Sequence, residues 1–576
     1  MATRLNALDL AFLGLETQKT PVNVASLQIF EPPADYAGHF VRDLLANLQT
    51  LPPGPPFNLR LSSTSVLTAP SWVEDDHFDL NYHVRHSALP QPGSMADLLS
   101  LVSRLHSRVM DRERPLWEFH IIEGLEGGRF AIYMKMHHAA IDGMGGIALL
   151  EACLSTEPDA PLKAPWAGLA TKSRGRRSSG SLLGLPARLR RRLLGQAQMG
   201  IDLGKLLVGH GMKAVGLQPD DSPAPFTAPK TIFNVPVSGA RKFGATSMPL
   251  HELKALGKAT GATVNDIVLA ICSGAIREYL REHKALPKRS LVASVPVSIR
   301  QINRSGNQIT YVSARLATHR KTPLGRLADI GRSTRAAKKE VANVLPSASI
   351  NFAVMAQGLV AVLNRLGATD LVPPPANVVI SNVPGPRQLL YFAGAQLKAG
   401  YPLSVLVDGQ ALNITVLSYV DSVDFGVMAC RDAVPDVDVL SRLLQKAFLE
   451  LKAAAAANPV AEDPATEASE TKPRRKRKAT SRTAKKVAKK ASKKASKKTQ
   501  AKAARKTSNA ARKKASAGSK PGADSKAART AGSVNGTGTK KKRRKKASRK
   551  RAAPTPSAQT ADGRPLKSLR QRRGAS

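Results

Sequence analysis

The stretch from Trp117 to Cys153 reads WEFHIIEGLEGGRFAIYMKMHHAAIDGMGGIALLEAC, and it carries three local signals in succession. Two apolar runs, FHIIEGL and FAIYMKM, flank the short Gly-containing connection EGGR, a pattern that predicts a β-hairpin. The polar segment HHAAIDGMGG follows, and then IALLEACL, whose composition predicts a helix. The local order is therefore strand, turn, helix, with two adjacent histidines where the second strand ends.

The polar turn after the predicted hairpin contains His137, His138, Asp142 and Gly143. Histidine is the commonest general base near neutral pH, because its unperturbed pKa of about 6.5 leaves it mostly neutral yet able to accept a proton. A carboxylate such as Asp142 can orient the loop or pair with a distant arginine, and Gly143 permits backbone angles that a side chain would forbid. The turn therefore holds residue types that can remove a proton from an alcohol or a thiol.

Positive charge is concentrated at the C-terminal end of the chain. The 576 residues carry a formal net charge of +46, but Thr471–Ser576 contain 39 Lys or Arg against 2 Asp, a net charge of +37. Residues 1–470 hold 49 basic and 40 acidic side chains, a net charge of +9. The body is therefore only mildly basic, so the bulk charge does not identify the whole chain as a nucleic-acid binder.

The chain is too long for one hydrophobic core, which predicts at least two folded units. We predict an N-terminal domain at residues 1–165, a basic amphipathic linker at 166–225, a C-terminal domain at 226–455 and a disordered Lys- and Ala-rich tail at 456–576. The linker can lie on an anionic lipid surface, or it can pack its leucines on the protein. The tail has too little apolar content to offset its ordering entropy.

The predicted C-terminal domain mixes helical and strand-like segments. HELKALGKATG and TVNDIVLAICSGAIREYLREHK predict helices, whereas RSLVASVPVSIR, ANVVISNVPGP, LNITVLSYV and SVDFGVMAC are rich in β-branched residues and predict strands. The N-terminal domain alternates in the same way. The composition of both domains therefore indicates a mixed α/β fold.

Cysteine usage and hydropathy bear on the compartment. The three cysteines, Cys153, Cys272 and Cys430, lie far apart without metal-type spacing, which suits a reducing compartment and argues against structural zinc. The N-terminal segment MATRLNALDLAFLGLE lacks the unbroken apolar core of a signal peptide. No run approaches the roughly 20 apolar residues that cross a bilayer. We expect a cytoplasmic protein in peripheral contact with membrane or lipid inclusions.

Several segments in a fixed order resemble one family. The His-His-x-x-x-Asp-Gly spacing is similar to the motif of the CoA-dependent acyltransferase superfamily. The surrounding segments are the opening LNALDLAFLGLE, Pro115–Trp117, TVNDIVLA with Asn265 and Asp266, PVSIR at Pro296–Arg300, Gly306 with Asn307, and SNVPGP at Ser381–Pro386. Together they resemble the bacterial wax ester synthase/diacylglycerol acyltransferase family over roughly residues 4–455.

This resemblance implies two chloramphenicol-acetyltransferase-like domains that form a central tunnel. It also implies that His138 is the general base, that His137 is its structural partner, and that Asp142 shapes the site by pairing with Arg300. The implied reaction moves a long-chain acyl group from acyl-CoA, a co-substrate, to diacylglycerol or a long-chain alcohol. Transfer is direct, so Cys153 need not be a nucleophile, and no bound cofactor or metal is expected.

Other residues in these segments are candidates for contact with substrate, and some of them also have a structural interpretation. Ser381, Asn382 or Asn265 can donate a hydrogen bond to the charge that develops on the thioester oxygen. Asp266 can contact substrate, or it can complete a capping box with Thr263. Trp117 either packs in the core or lines an acyl channel. SNVPGP can be a turn after a strand, and the DFG at residues 424–426 resembles a structural motif of the superfamily.

The tail leaves a second class of function open. Its charge predicts attraction to polyanions, which are nucleic acid, an anionic membrane surface or an acidic protein. It contains no aromatic residue, so base stacking is not expected. The alternative function is therefore a catalytically silent protein that tethers lipid granules or nucleic acid through its tail, and the presence of both His138 and Asp142 favours the enzyme.

Overall fold

The computed structural model describes residues 3–5, 7–68, 70–141, 143–167, 221–298, 309–342, 358, 363 and 372–458. All of them lie in one compact unit, Met1–Pro464. The predictions for Asp142, for Arg300, for most of the 166–225 linker and for nearly all of the tail fall outside the described residues.

Helices and strands alternate along the described residues. The helices are α1 (Ala7–Leu15), α2 (Phe40–Gln49), α3 (Leu80–His83), α4 (Met95–His106), α5 (Gly143–Cys153), α6 (Leu250–Thr260), α7 (Val264–Glu282), α8 (Pro323–Ala342) and α9 (Val437–Ala457), with a 3-10 turn at Val66–Thr68. The strands are β1 (Thr3–Arg4), β2 (Asn23–Glu31), β3 (Leu59–Leu61), β4 (Ser71–Glu74), β5 (Val84–Ala88), β6 (Trp117–Leu125), β7 (Arg129–His137), β8 (Arg241–Pro249), β9 (Val292–Ser298), β10 (Ile309–Arg315), β11 (Val378–Pro384), β12 (Tyr391–Phe392), β13 (Ala395–Leu403), β14 (Leu412–Tyr419) and β15 (Ser422–Cys430). This composition confirms the mixed α/β fold class.

The predicted hairpin lies in the first of two six-stranded sheets, whose strand order is β12-β13-β2-β7-β6-β5. Strands β6 and β7 are antiparallel, with Trp117 opposite Met136. Gly127 and Gly128 have positive φ angles of 74° and 71° in the turn between them, a conformation that glycine adopts without steric cost. Helix α5 begins at Gly143, so the predicted order of strand, turn and helix is confirmed.

The second six-stranded sheet has the order β10-β9-β11-β14-β15-β8 and contains the strands predicted in the C-terminal domain. The two predicted helices are present as α6 and α7. Gly261, in the left-handed conformation with φ 65°, ends α6. Thr263 and Asp266 form a capping box at the start of α7, because each side chain accepts the other residue's backbone N–H.

Strands β12 and β13 join the first sheet, although the sequence pattern assigns their residues to the C-terminal domain. Strand β13 pairs with β2 and also lies against the second sheet, where the Gly400 amide donates to the Asp424 carboxylate at 2.8 Å. A Cβ at Gly426 would lie 2.0 Å from the Pro402 carbonyl oxygen, so only glycine fits there. Asp424 and Gly426 of the DFG segment therefore pack directly against β13, the strand that joins the first sheet and lies against the second.

Apolar side chains fill both faces of the first sheet. One face packs with α2 and α5 around Phe119, Phe130 and Trp166. The other face packs on α4 and the second sheet, around Tyr133 and Phe243. The hydroxyls of Ser103 on α4 and of Ser107 just after it accept the backbone N–H groups of Phe243 and Arg241 on β8. These two amides are buried away from water and need such a partner. The two sheets thus share one buried layer.

Within the part of the chain that the structure describes, no single helix is long and apolar enough to cross a membrane. Helices α6 and α7 together have sufficient length and apolar composition, but the chain bends by 100° between them.

Candidate functional site

The two histidines lie where β7 leaves the first sheet. The backbone N–H of His137 donates to the carbonyl of Leu116 at 3.0 Å, and that of His138 donates to the carbonyl of Val22 at 2.9 Å. The chain then turns, because the N–H of Ala140 donates to the His137 carbonyl at 2.9 Å. The backbone of the motif is therefore held on both sides by neighbouring chain segments.

The His137 side chain is completely buried. The N–H of Ala139 donates to its Nδ1 at 3.0 Å, so Nδ1 acts as an acceptor and the ring proton resides on Nε2. Nε2 faces the Oε1 atom of Glu16 at 3.4 Å, longer than an ordinary N–H···O hydrogen bond but within electrostatic contact. Nδ1 of His137 thus accepts a hydrogen bond, whereas Nε2 has an electrostatic contact with Glu16 and no hydrogen bond of ordinary geometry.

Glu16 is the buried carboxylate beside the motif, with a side chain only 2% exposed. Its Oε2 accepts from Nε and Nη2 of Arg112 at 3.2 and 3.0 Å, and its Oε1 accepts from the Val22 amide at 3.2 Å. Burial alone would raise the pKa of the Glu16 carboxyl, but His137, the Val22 amide and Arg112 outweigh burial and lower it. Glu16 is therefore ionised near neutral pH.

His138 differs from His137 in its exposure. It is half-buried, its Nδ1 is enclosed by protein, and its ring stacks on Phe12 with centroids 4.2 Å apart and an interplanar angle of 28°. Because Nδ1 contributes almost none of the exposed surface, the accessible part of His138 lies elsewhere on the residue.

A second charged cluster lies on β7, two residues before His137. Lys135 is completely buried and its Nζ lies 2.9 Å from Oε2 of Glu118, which also accepts from His120 at 3.3 Å. Burial would raise the pKa of Glu118, but His120 and Lys135 hold it at about 2. Burial lowers the pKa of Lys135 despite the opposing effect of Glu118. This buried ion pair lies on the strand that ends at His137.

Trp117 lies in the core. Only 2% of it is exposed, its Nε1 donates to the carbonyl of Phe57 at 2.8 Å, and its ring stacks on His83 and Trp166 with centroids 4.5 and 5.7 Å apart. Of the two readings of Trp117, the structure shows packing. Leu116, its neighbour, contributes the carbonyl that receives the His137 amide.

Asp266 is a structural carboxylate. Its Oδ2 accepts from the amide and the hydroxyl of Thr263 at 3.1 and 2.6 Å, and its Oδ1 accepts from the Thr334 hydroxyl at 2.7 Å. Asp266 is 2% exposed, so these contacts use the carboxylate to cap α7 and connect it to α8. Asn265 beside it is half-buried.

The remaining predicted site residues lie on three elements. Ser381 and Asn382 are half-buried on β11, opposite Thr415 and Val416 of the parallel strand β14. Gly143 is the first residue of α5. The pairing of Asp142 with Arg300 stays a prediction, because both residues fall outside the described ranges.

The Cys153 thiol does not have the character of a nucleophile. Burial raises the pKa of Cys153 to about 12, and the thiol lies 3.6 Å from the Leu150 carbonyl within the last turn of α5. A thiol with such a pKa carries almost no thiolate near neutral pH.

Sequence reasoning missed the supporting residues Phe12, Glu16 and Arg112. Phe12 and Glu16 are four positions apart in the opening segment LNALDLAFLGLE, a helical spacing that places them on one face. Arg112 lies 96 residues after Glu16, and no local pattern links the two. The spacing of Phe12 and Glu16 was the one signal that the sequence offered.

Residues 5–268 match the model described as the wax ester synthase/diacylglycerol acyltransferase catalytic domain, and residues 305–452 match the WS/DGAT C-terminal domain. The chain is 43% identical over 462 residues to a putative diacylglycerol O-acyltransferase of Mycobacterium tuberculosis strain H37Rv, which spans 78% of this chain and 99% of the relative.

Two further similarities have the same extent. The chain is 38% identical over 448 residues to the O-acyltransferase WSD of Acinetobacter baylyi, covering 77% of this chain and 95% of the relative. The solved wax ester synthase/diacylglycerol acyltransferase from Marinobacter aquaeolei VT8 is similar with a TM-score of 0.62 and 34% identity, over 79% of this chain and 100% of that one.

Proposed function

Because the chain belongs to the wax ester synthase/diacylglycerol acyltransferase family, we propose that it transfers a long-chain acyl group from acyl-CoA to diacylglycerol or to a long-chain alcohol. The relatives' names give diacylglycerol as an acceptor and wax ester as a product. The two products are triacylglycerol and wax ester. Acyl-CoA is the co-substrate, and the reaction needs no further group.

One observation carries the assignment of His138 as the general base. Of two adjacent imidazoles, His137 is completely buried against Ala139 and Glu16, whereas His138 is only half-buried at the point where the strand turns. A base must reach the substrate hydroxyl directly, which a sealed imidazole cannot do. His137 therefore has the structural role and His138 the chemical one.

The reaction proceeds in one transfer. Nε2 of His138 removes the hydroxyl proton as the acceptor oxygen forms its bond to the thioester carbonyl carbon. The C–S bond then breaks, and the imidazolium returns the proton to the departing CoA sulfur. The acyl group passes directly from sulfur to oxygen, which agrees with the high pKa of the Cys153 thiol.

The test measures CoA release when the full chain is given palmitoyl-CoA with diacylglycerol, with hexadecanol, or with both together. His138→Ala should lower kcat by about 10²- to 10⁴-fold, the usual contribution of a general base. His251→Ala removes an exposed histidine that pairs with Asp421, and it should leave kcat unchanged. Turnover in His138→Ala close to that of the native chain contradicts the assignment. No turnover of the native chain with any alcohol favours the tethering function instead.

We also propose that the tail binds polyanions and that the protein sits in the cytoplasm, peripherally on membrane or lipid inclusions. The support is the net charge of +37 over Thr471–Ser576. Binding of the full chain to a DNA duplex and to phosphatidylglycerol vesicles should weaken steeply between 50 and 200 mM salt, roughly as the counterion-release relation requires. Phosphatidylcholine vesicles are the control, and binding that does not depend on salt contradicts the proposal.

A further inference from the structure

We propose that the N-terminal helix α1 positions the general base, with Glu16 as the central positioning residue and with Arg112 and Phe12 assisting it. The inference rests on the proposed role of His138. Neither the family motif nor the reaction above gives α1 any part. The geometry does so through three sets of contacts that converge on the two histidines.

The first set connects the Glu16 carboxylate to the His138 backbone. Oε1 of Glu16 accepts the N–H of Val22 at 3.2 Å, and the carbonyl of Val22 accepts the N–H of His138 at 2.9 Å. Val22 is thus held on its amide side by Glu16, while its carbonyl side holds the base. A displacement of the Glu16 carboxylate would therefore shift Val22 and, through its carbonyl, the backbone of His138.

The second set connects Glu16 to the turn through His137. Oε1 lies 3.4 Å from Nε2 of His137, and Nδ1 of the same ring accepts the N–H of Ala139, the residue after the base. A negative carboxylate favours the proton on Nε2, which leaves Nδ1 able to accept. The orientation and tautomer of His137 therefore set the backbone on both sides of His138.

The third set concerns the rigidity of α1 itself. Phe12, one helical turn before Glu16, stacks on the His138 ring, and the Glu16 amide donates to the Phe12 carbonyl at 3.2 Å. Nη2 of Arg112 donates both to Glu16 and to the carbonyl of Leu13, at 3.0 and 2.6 Å. The Arg112 guanidinium thus binds both the end of α1 and the Glu16 carboxylate. The Phe12 ring and the Glu16 charge are therefore held in a fixed position relative to each other.

Glu16→Gln is the informative substitution because it keeps the shape of the side chain. The carboxylate accepts on both oxygens, from Arg112 at one and from Val22 and His137 at the other. A glutamine has one oxygen and one NH₂ group, so one of these sides must face donor to donor. The contacts cannot all persist, although no volume is lost.

We expect Glu16→Gln to lower kcat by about 10- to 100-fold, the effect of misplacing a catalytic group by about 1 Å. The KM values for palmitoyl-CoA and for the alcohol should stay within about threefold, because the Glu16 side chain is buried behind the histidines. Phe12→Leu keeps apolar volume and loses the ring stacking, so it should lower kcat less. Arg112→Lys keeps the positive charge but not the two parallel N–H donors of the guanidinium, so it should give an intermediate loss of kcat.

The matched control is Asp329→Asn, which removes a carboxylate paired with two arginines, Arg320 and Arg332, at 2.9 and 2.5 Å on α8. It should lower the melting temperature without lowering kcat. Kinetics are measured well below each variant's melting temperature, so a loss of folded protein is separated from a loss of positioning.

The inference is overturned if Glu16→Gln keeps kcat within about threefold of native while its melting temperature falls as it does in Asp329→Asn. If Glu16→Gln does not fold, Phe12→Leu decides in its place, and native kcat there overturns the inference. His138→Ala separates the two proposals. Activity lost in His138→Ala and retained in Glu16→Gln refutes only the role of α1, whereas activity retained in His138→Ala refutes the proposed function.

Discussion

Replacing Lys135 by Met tests the buried ion pair on the strand that carries the two histidines. Lys135 is completely buried, and its Nζ contacts Glu118 at 2.9 Å and the carbonyls of Leu105 and Arg108 at 3.2 and 3.3 Å. Methionine has a similar length and no charge. The substitution leaves Glu118 with His120 and with Arg85, whose Nη2 is 3.7 Å away.

Removing one member of a buried ion pair typically costs about 3–5 kcal/mol, because the other charge stays desolvated without its partner. The unfolding entropy is about 2.1 cal/mol/K per residue, which for the compact unit Met1–Pro464 amounts to about 1 kcal/mol/K. The melting temperature of Lys135→Met should therefore fall by about 3–5 °C. Thermal unfolding followed by circular dichroism at pH 7 measures the change.

The double variant Glu118→Gln with Lys135→Met removes both charges and is the control. It should recover most of the lost melting temperature, since neither charge is then buried alone. A Lys135→Met variant that melts within about 1 °C of the native chain would refute the reasoning. A double variant no more stable than the single one would refute it equally.

Three further results are expected. Gly426→Ala should lower the soluble yield and the melting temperature, because its Cβ would meet the Pro402 carbonyl at 2.0 Å, whereas Gly14→Ala, with nothing within 4 Å, should do neither. Because of Glu118, the free energy of unfolding should fall as the pH drops from about 4.3, the pKa of a glutamate in the unfolded chain, toward 2. Because the folded pKa of Glu118 lies at about 2, its contribution is complete above about 4.3 and is lost progressively as the pH falls to about 2. A melting temperature of Glu118→Gln that falls with pH as steeply as that of the native chain contradicts this. Cys153→Ser should keep native kcat in the CoA-release assay, and inactivation would contradict direct transfer.

Much of the local structure was predictable from short patterns. The hairpin over 117–137, helix α7 and its capping box at Thr263 and Asp266 all depend on residues close together in the chain. Periodicity and turn chemistry act over a few residues, so one sequence is enough to show them.

The sheet that each strand joins was not predictable. Residues 395–403 have an ordinary strand pattern, and nothing in them shows that they pair with β2 rather than with a strand of the second sheet. The open readings of Trp117 and Asp266 had the same origin, because apolar size and a carboxylate are compatible with both a core and a site. Burial and partners decide between them, and both are properties of the folded chain.

The sequence by itself determined the fold class, the family resemblance and the pair of histidines at the end of a strand. Only the tertiary structure showed that Glu16 and Arg112, 96 residues apart, meet behind those histidines and that Phe12 stacks on one of them. Local patterns report the conformation of a segment, whereas the contacts that orient a base are made between segments. Their free energy depends on distances that exist only once the chain has folded.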